Sequence, residues 1–220
     1  MNDPLDHAAL QDLLTVDRLG SYLAAAGGDL EGALELYRWN MEASAAVLIT
    51  AGMVEIVVRN ALDGQLRLWA LQRAQPDWFD AVPLDARGRE DLRRARQRAS
   101  MFGRRPEIHG KVIAELSLGF WRFLVAKRYH GTLWVPALAK AFPHGSPDLR
   151  VRRAAAEVHL KILSDFRNRA AHHEPVHHRG LSGFLSTATS VAAWVHPAAE
   201  DWVAGHSNLP AIIRSKPTFE

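Results

Sequence analysis

Residues 30–61 read LEGALELYRWNMEASAAVLITAGMVEIVVRNA. Along this stretch Leu34, Tyr37, Met41, Val47, Ile49, Val54, Val57 and Val58 recur at helical spacing, and Leu62 continues the series. That period marks an amphipathic helix rather than a strand. Asp29, or the glycines before it, starts the helix, and Gly52 marks a bend or a close helix contact. The same period runs on from Asn60 to Arg73 and stops at Gln75-Pro76. Further helices are expected over 85–101, a highly basic, solvent-exposed element with few apolar residues, and over 107–129, 149–173, 180–194 and 197–202, with a short piece at 136–142. In 149–173 the apolar stripe is Val151, Ala155, Val158, Ile162, Leu163 and Phe166. Pro76-Asp77-Trp78-Phe79, Pro83-Leu84-Asp85 and the run Pro143 to Pro147 form the connections. Strand alternation, internal repeats and low-complexity tracts are absent from the sequence. The expected fold is an all-α bundle, one domain over 1–206 with an irregular tail over 207–220.

Composition narrows the chemistry by exclusion. The 220 residues, 48% hydrophobic and 23% charged, are enough to bury a core. There is no cysteine, which excludes a disulfide scaffold, a thiol nucleophile, an iron–sulfur cluster and Cys-ligated zinc. The first fifteen residues carry Asp3, Asp6 and Asp12 and no Lys or Arg, unlike a secretory signal. Ala43 to Val58 is the most apolar stretch, too short and too polar to span a bilayer. These features predict a soluble, cytoplasmic protein without membrane attachment.

The net charge of +3 is unevenly spread. Residues 1–60 hold nine acids against Arg18, Arg38 and Arg59. Residues 87–105 hold eight arginines against Glu90 and Asp91, and residues 150–169 hold six basic side chains against Glu157 and Asp165. Arg offers a planar donor fork that grips phosphate in two places, so clustered Arg suits a polyanion surface. A solvated helix face paired with the acidic N-terminal third fits the same residues equally well.

Two local patterns compete as sites. His173-Glu174-Pro175-Val176-His177 spells the H-E-x-x-H zinc-protease motif. That chemistry needs both imidazoles on one turn of a continuous helix, and Pro175 breaks the turn. A looser site from His172, His173, His177 and His178 has only Glu174 near it. The second pattern is Arg167-Asn168-Arg169-Ala170-Ala171-His172. With 22 Arg and 11 His in the chain, about one such Arg–His spacing arises by chance. Asn168 and His172 lie one turn apart, so the amide can orient the imidazole. Arg167 and His172 lie roughly 140° apart around an ideal helix, so a second copy of the site would help focus both on one phosphate. Taken alone, these residues read more readily as cations favouring the negative end of the helix dipole.

Four blocks in order resemble a family. They are Asp17-Arg18-Leu19 through Tyr37-Arg38-Trp39-Asn40; Glu55-Ile56-Val57-Val58-Arg59-Asn60-Ala61-Leu62; Glu115 to Trp121 with Tyr129 and Leu133-Trp134; and Arg167-Asn168 with Ala171-His172-His173-Glu174-Pro175. Together they resemble the Abi-like (AbiD/AbiF-type) abortive-infection proteins of the HEPN superfamily, over residues 17–180. The resemblance implies a HEPN-type helical bundle with additional helices. It also implies a metal-independent endoribonuclease without cofactor, a toxin of phage defence or a toxin–antitoxin pair. The implied assembly is a homodimer with a composite site, acting on RNA and restrained by an antitoxin of protein or RNA. Arg167, Asn168 and His172 would be catalytic, with Glu55, Arg59 and His173 supporting. Arg93, Arg94, Arg98 and Arg169 would contact the RNA backbone. The alternative is a non-catalytic HEPN module that binds RNA or a partner protein.

Overall fold

The computed structural model describes residues 7–219, and among these every regular element is helical. The helices are α1 (His7–Leu14), α2 (Val16–Ala25), α3 (Leu30–Leu71), α4 (Ala86–Ala99), α5 (His109–Glu115), α6 (Leu118–Leu124), α7 (Leu149–Ala171), α8 (Leu181–Val195), α9 (Pro197–His206) and α10 (Leu209–Arg214). Short 3-10 and π turns fill 127–134 and 138–141. The all-α expectation holds.

Asp29 starts α3: its carboxylate accepts from the Gly32 amide at 2.9 Å, an N-cap. From there the helix runs for 42 residues. Gly52 does not interrupt it, and a Cβ added there would meet nothing within 4 Å, so no close contact requires the glycine. An 18-residue window of α3 has mean hydropathy 1.8, long and apolar enough to cross a membrane by composition alone, yet half of that window is buried inside the protein. The helix expected over 107–129 is interrupted. Leu116 turns extended and the Ser117 hydroxyl caps a new start, accepting from the Phe120 amide at 3.4 Å.

The chain divides into two compact units. The first gathers the described residues up to Thr50, Phe166–Leu185 and the described residues from Ser207. The second gathers Ala51–Asp165 and Ser186–His206. α3, α7 and α8 each contribute residues to both.

In the first unit α2 buries Leu19 and Tyr22, and α3 buries Ala33, Leu36, Trp39, Ala43, Ala46 and Val47. The tail corrects the sequence reading, because residues 209–214 are helical and Leu209 is fully buried. It is held by the first unit: Trp39 Nε1 donates to the Ile212 carbonyl at 2.7 Å, and the Thr50 and Ser207 hydroxyls meet at 2.8 Å. Lys216 Nζ donates to the His177 carbonyl at 2.6 Å.

In the second unit Trp78, Trp121 and Trp134 are fully buried. His109, at the start of α5, sits between two carboxylates: Nε2 is 2.8 Å from Asp63 and Nδ1 is 2.6 Å from Asp77. Asp63 is 5% exposed and also accepts from Trp78 Nε1 at 2.8 Å, while the imidazole stacks flat on Phe79. Both ring nitrogens are thus engaged by carboxylates. This bridge ties α5 to α3 and to the loop after it.

The apolar stripe assigned to α7 also needs correcting. Val151 and Val158 are each 55% exposed, whereas Ala156, Leu160 and Leu163 are buried with Arg153. Arg153 donates to the Val125 carbonyl at 3.0 Å and pairs with Glu157. Met41 and Ile49 of α3 likewise face outward, 58% and 52% exposed.

Candidate active site

α7 ends at Ala171, two residues earlier than expected, and the way it ends sets the geometry of the candidate site. The His173 amide donates to Ala170 O at 3.1 Å and the Glu174 amide to Arg169 O at 2.8 Å, while His173 itself is left-handed at φ 55°. This is a Schellman cap with histidine where glycine is usual. His tolerates that conformation better than a branched residue does. Pro175 follows, and 172–180 crosses to α8 without helix. The H-E-x-x-H letters therefore lie in a turn and a loop. Among the described residues no three His, Asp or Glu side chains gather closely enough to hold a metal ion.

The loop is pinned from several sides. Asn40, 3% exposed on α3, uses one oxygen for two amides, Val176 at 2.7 Å and His177 at 3.0 Å. Arg18 of α2 donates to the His173 carbonyl and, at 3.5 Å, to the Tyr37 hydroxyl. Arg169 pairs with Glu174 at 3.1 Å and donates to Pro175 O at 3.3 Å. The His177 imidazole is buried against Tyr22, 3.3 Å from Ser21 Oγ. Burial, then the neighbouring His178 and Lys216 charges, push its pKa down from 6.5 to about 4. Burial also raises the Tyr22 hydroxyl to about 12. His178 is lowered by burial first, then by Arg169, Arg179 and Lys216, a sign of how many cations crowd this end of the unit.

Against that scaffold the sequence-predicted residues divide. Arg167, Asn168 and His172 are exposed at the end of α7. Asn168 Oδ1 lies 3.4 Å from Arg167 Nη1, so the amide orients the guanidinium and not the imidazole. His172 forms its backbone bond to Asn168 O at 3.0 Å, and among the described residues its ring has no hydrogen-bond partner. His173 contributes its carbonyl to Arg18. Glu55 and Arg59, both half-buried, belong to the second unit, where Arg59 Nε is 3.4 Å from Asn60 Oδ1.

The four arginines expected to bind RNA are already engaged. Arg93 and Arg94 both grip Glu90 at 2.7 Å, holding its carboxyl down at about 2. Arg98 holds Glu115 at 2.8 Å, and Arg169 holds the loop. The partners of the arginine-rich helix are local acids, with Asp80 and Glu107 on Arg96. Arg104 and Arg105 beyond it are exposed, with no ion pair among the described residues.

Sequence reasoning gave no role to Arg18, Tyr37 or Asn40. They line a cavity of about 180 Å³ with Met41, Leu48, Ala170 and His173. Their only signal was membership of the first resembling block. No family model, curated protein or solved structure matches the chain.

Proposed function

We propose that the protein is an Abi-like, HEPN-type endoribonuclease that cleaves RNA without a metal, a cytoplasmic toxin of phage defence or of a toxin–antitoxin pair. The observation that carries this reading is the exposed Arg167, Asn168 and His172 at a cation-crowded helix end whose cap and loop are held from α2, α3 and the tail. RNA supplies its own nucleophile, the 2′-hydroxyl, so the protein needs only proton transfer and charge stabilisation. His172 exchanges the proton, since a neutral imidazole carries one nitrogen that accepts and one that donates. Arg167 stabilises charge on the pentacovalent phosphorus, with Asn168 setting its orientation. Activity is that of a homodimer whose second copy completes the site. The exposed Val151 and Val158 on α7, with exposed Ala154 between them, supply an apolar stripe of the kind a two-fold interface covers. An antitoxin of protein or RNA restrains it.

Purified protein incubated with total RNA in EDTA tests the reading. Products ending in 2′,3′-cyclic phosphate, lost in His172→Ala, are expected. Intact RNA that is nonetheless tightly bound would make the protein a non-catalytic HEPN module instead.

A further inference from the structure

Asn40 holds the loop with its oxygen alone. Because Oδ1 accepts from both the Val176 and the His177 amides, the assignment of oxygen and nitrogen is fixed by the network. Nδ2 finds no partner among the described residues, yet it is not one of the side-chain atoms sealed from solvent. Asn40, 3% exposed as a residue, lines the 180 Å³ cavity and has two donors that the loop does not use. An unpaired donor in so buried a residue costs free energy unless a ligand or water meets it.

The rest of the cavity suits a flat ring. Met41, Leu48 and Ala170 give apolar walls, and Tyr37 supplies an aromatic ring held edge-on by Tyr22 at 5.0 Å. Arg18 fixes the Tyr37 hydroxyl and the His173 carbonyl together, so the wall and the turn that carries His172 share one support. Single-stranded RNA is read by splayed bases that stack on aromatic side chains and present their edges to polar groups.

Resting on the ribonuclease reading, we propose that this cavity is a base-recognition subsite beside the scissile phosphate. Asn40 Nδ2 selects bases whose edge bears a carbonyl oxygen, O4 of uracil or O6 of guanine. Cytosine and adenine present an amino donor at that place and leave two donors facing each other. Asn40 is then a specificity-determining residue that takes no part in proton transfer.

The test is titration of the four nucleoside 3′-monophosphates, followed by saturation-transfer NMR, on wild-type protein, His172→Ala and Asn40→Asp. The last keeps an acceptor for both loop amides and replaces the donors by an oxygen. Wild-type and His172→Ala should bind the uridine or guanosine nucleotide about tenfold more tightly than the cytidine and adenosine ones, the discrimination of one good polar contact. Asn40→Asp should lose that preference, and its unfolding midpoint shows whether the loop clamp survived. Leu48→Trp, which fills the cavity without touching the clamp, should abolish binding of all four. Equal affinity for the four nucleotides, or an unchanged preference in Asn40→Asp, overturns the subsite. Absence of RNA cleavage by the wild-type protein removes the ribonuclease reading, and the nucleotide titration then still decides the cavity.

Discussion

Asn40, His173 and His177 together decide whether residues 172–180 form a defined surface or a loose connection. Asn40→Ala strips the acceptor from two buried amides, and we expect a loss of about 1–3 kcal/mol in denaturant unfolding, against a much smaller loss in Asn40→Asp. His177 gives the fold a pH dependence of definite sign. The unfolded chain takes up a proton near 6.5, whereas the folded one resists protonation until about 4. Its contribution is therefore complete above pH 6.5 and is lost as pH falls through that window. Urea midpoints should decline from pH 7 to pH 4.5, and the decline should be shallower in His177→Phe. A slope unaltered by that substitution would place the pH dependence elsewhere. None of this was legible in the sequence. His177 stood there as the second histidine of a zinc motif and one of four clustered imidazoles, and a left-handed His173 follows from hydrogen bonds to α7 that no local pattern announces.

The long helices show why so much else was readable and where reading stopped. Asp29 before a helical period is a local signal, and it is the cap of α3. The side facing inward is another matter. α3 and α7 carry apolar residues on opposite faces, so Val151 and Val158 fit the period as well as Leu160 and Leu163 do. Periodicity cannot say which face is covered. α10 escaped because six residues are too few to form a helix on propensity, and burial of Leu209 with the Trp39 bond to Ile212 makes it one. Within α3, Gly52 has no steric reason to be glycine, so Gly52→Ala should raise stability by about 0.5–1 kcal/mol. His109→Ala should do the reverse by about 3 kcal/mol, since it leaves the buried Asp63 carboxylate with Trp78 alone. Thermal unfolding of both variants checks the pair.

For the protein as a whole, the charge asymmetry that was evident in the sequence is partly neutralised by local ion pairs. The described ion pairs of the α4 arginines are with Asp80, Glu90, Asp91, Glu107 and Glu115, all outside the acidic stretch 1–60. The charges of Arg93 and Arg94 are already partly neutralised by Glu90, whereas Arg104 and Arg105 have no such partner among the described residues. Arg104→Ala with Arg105→Ala should therefore weaken RNA binding more, and flatten its salt dependence more, than Arg93→Ala with Arg94→Ala. Filter binding at several salt concentrations compares the two. Assembly is read separately by light scattering: Val158→Glu should give a monomer that no longer cleaves RNA, and an active dimer would exclude the α7 stripe as the interface. The make-up of the first unit also fixes an order of events in time. It combines the residues before Thr50 with a segment from Phe166 and another from Ser207. Such distant pairings are slow to close. During synthesis the end of α7 emerges with the α2 and α3 residues that receive it already waiting, but Leu209 and Lys216 are still to come. Arg167 and His172 thus leave the ribosome on an unfinished scaffold, which is completed only when residues beyond 207 fold back onto Trp39 and His177.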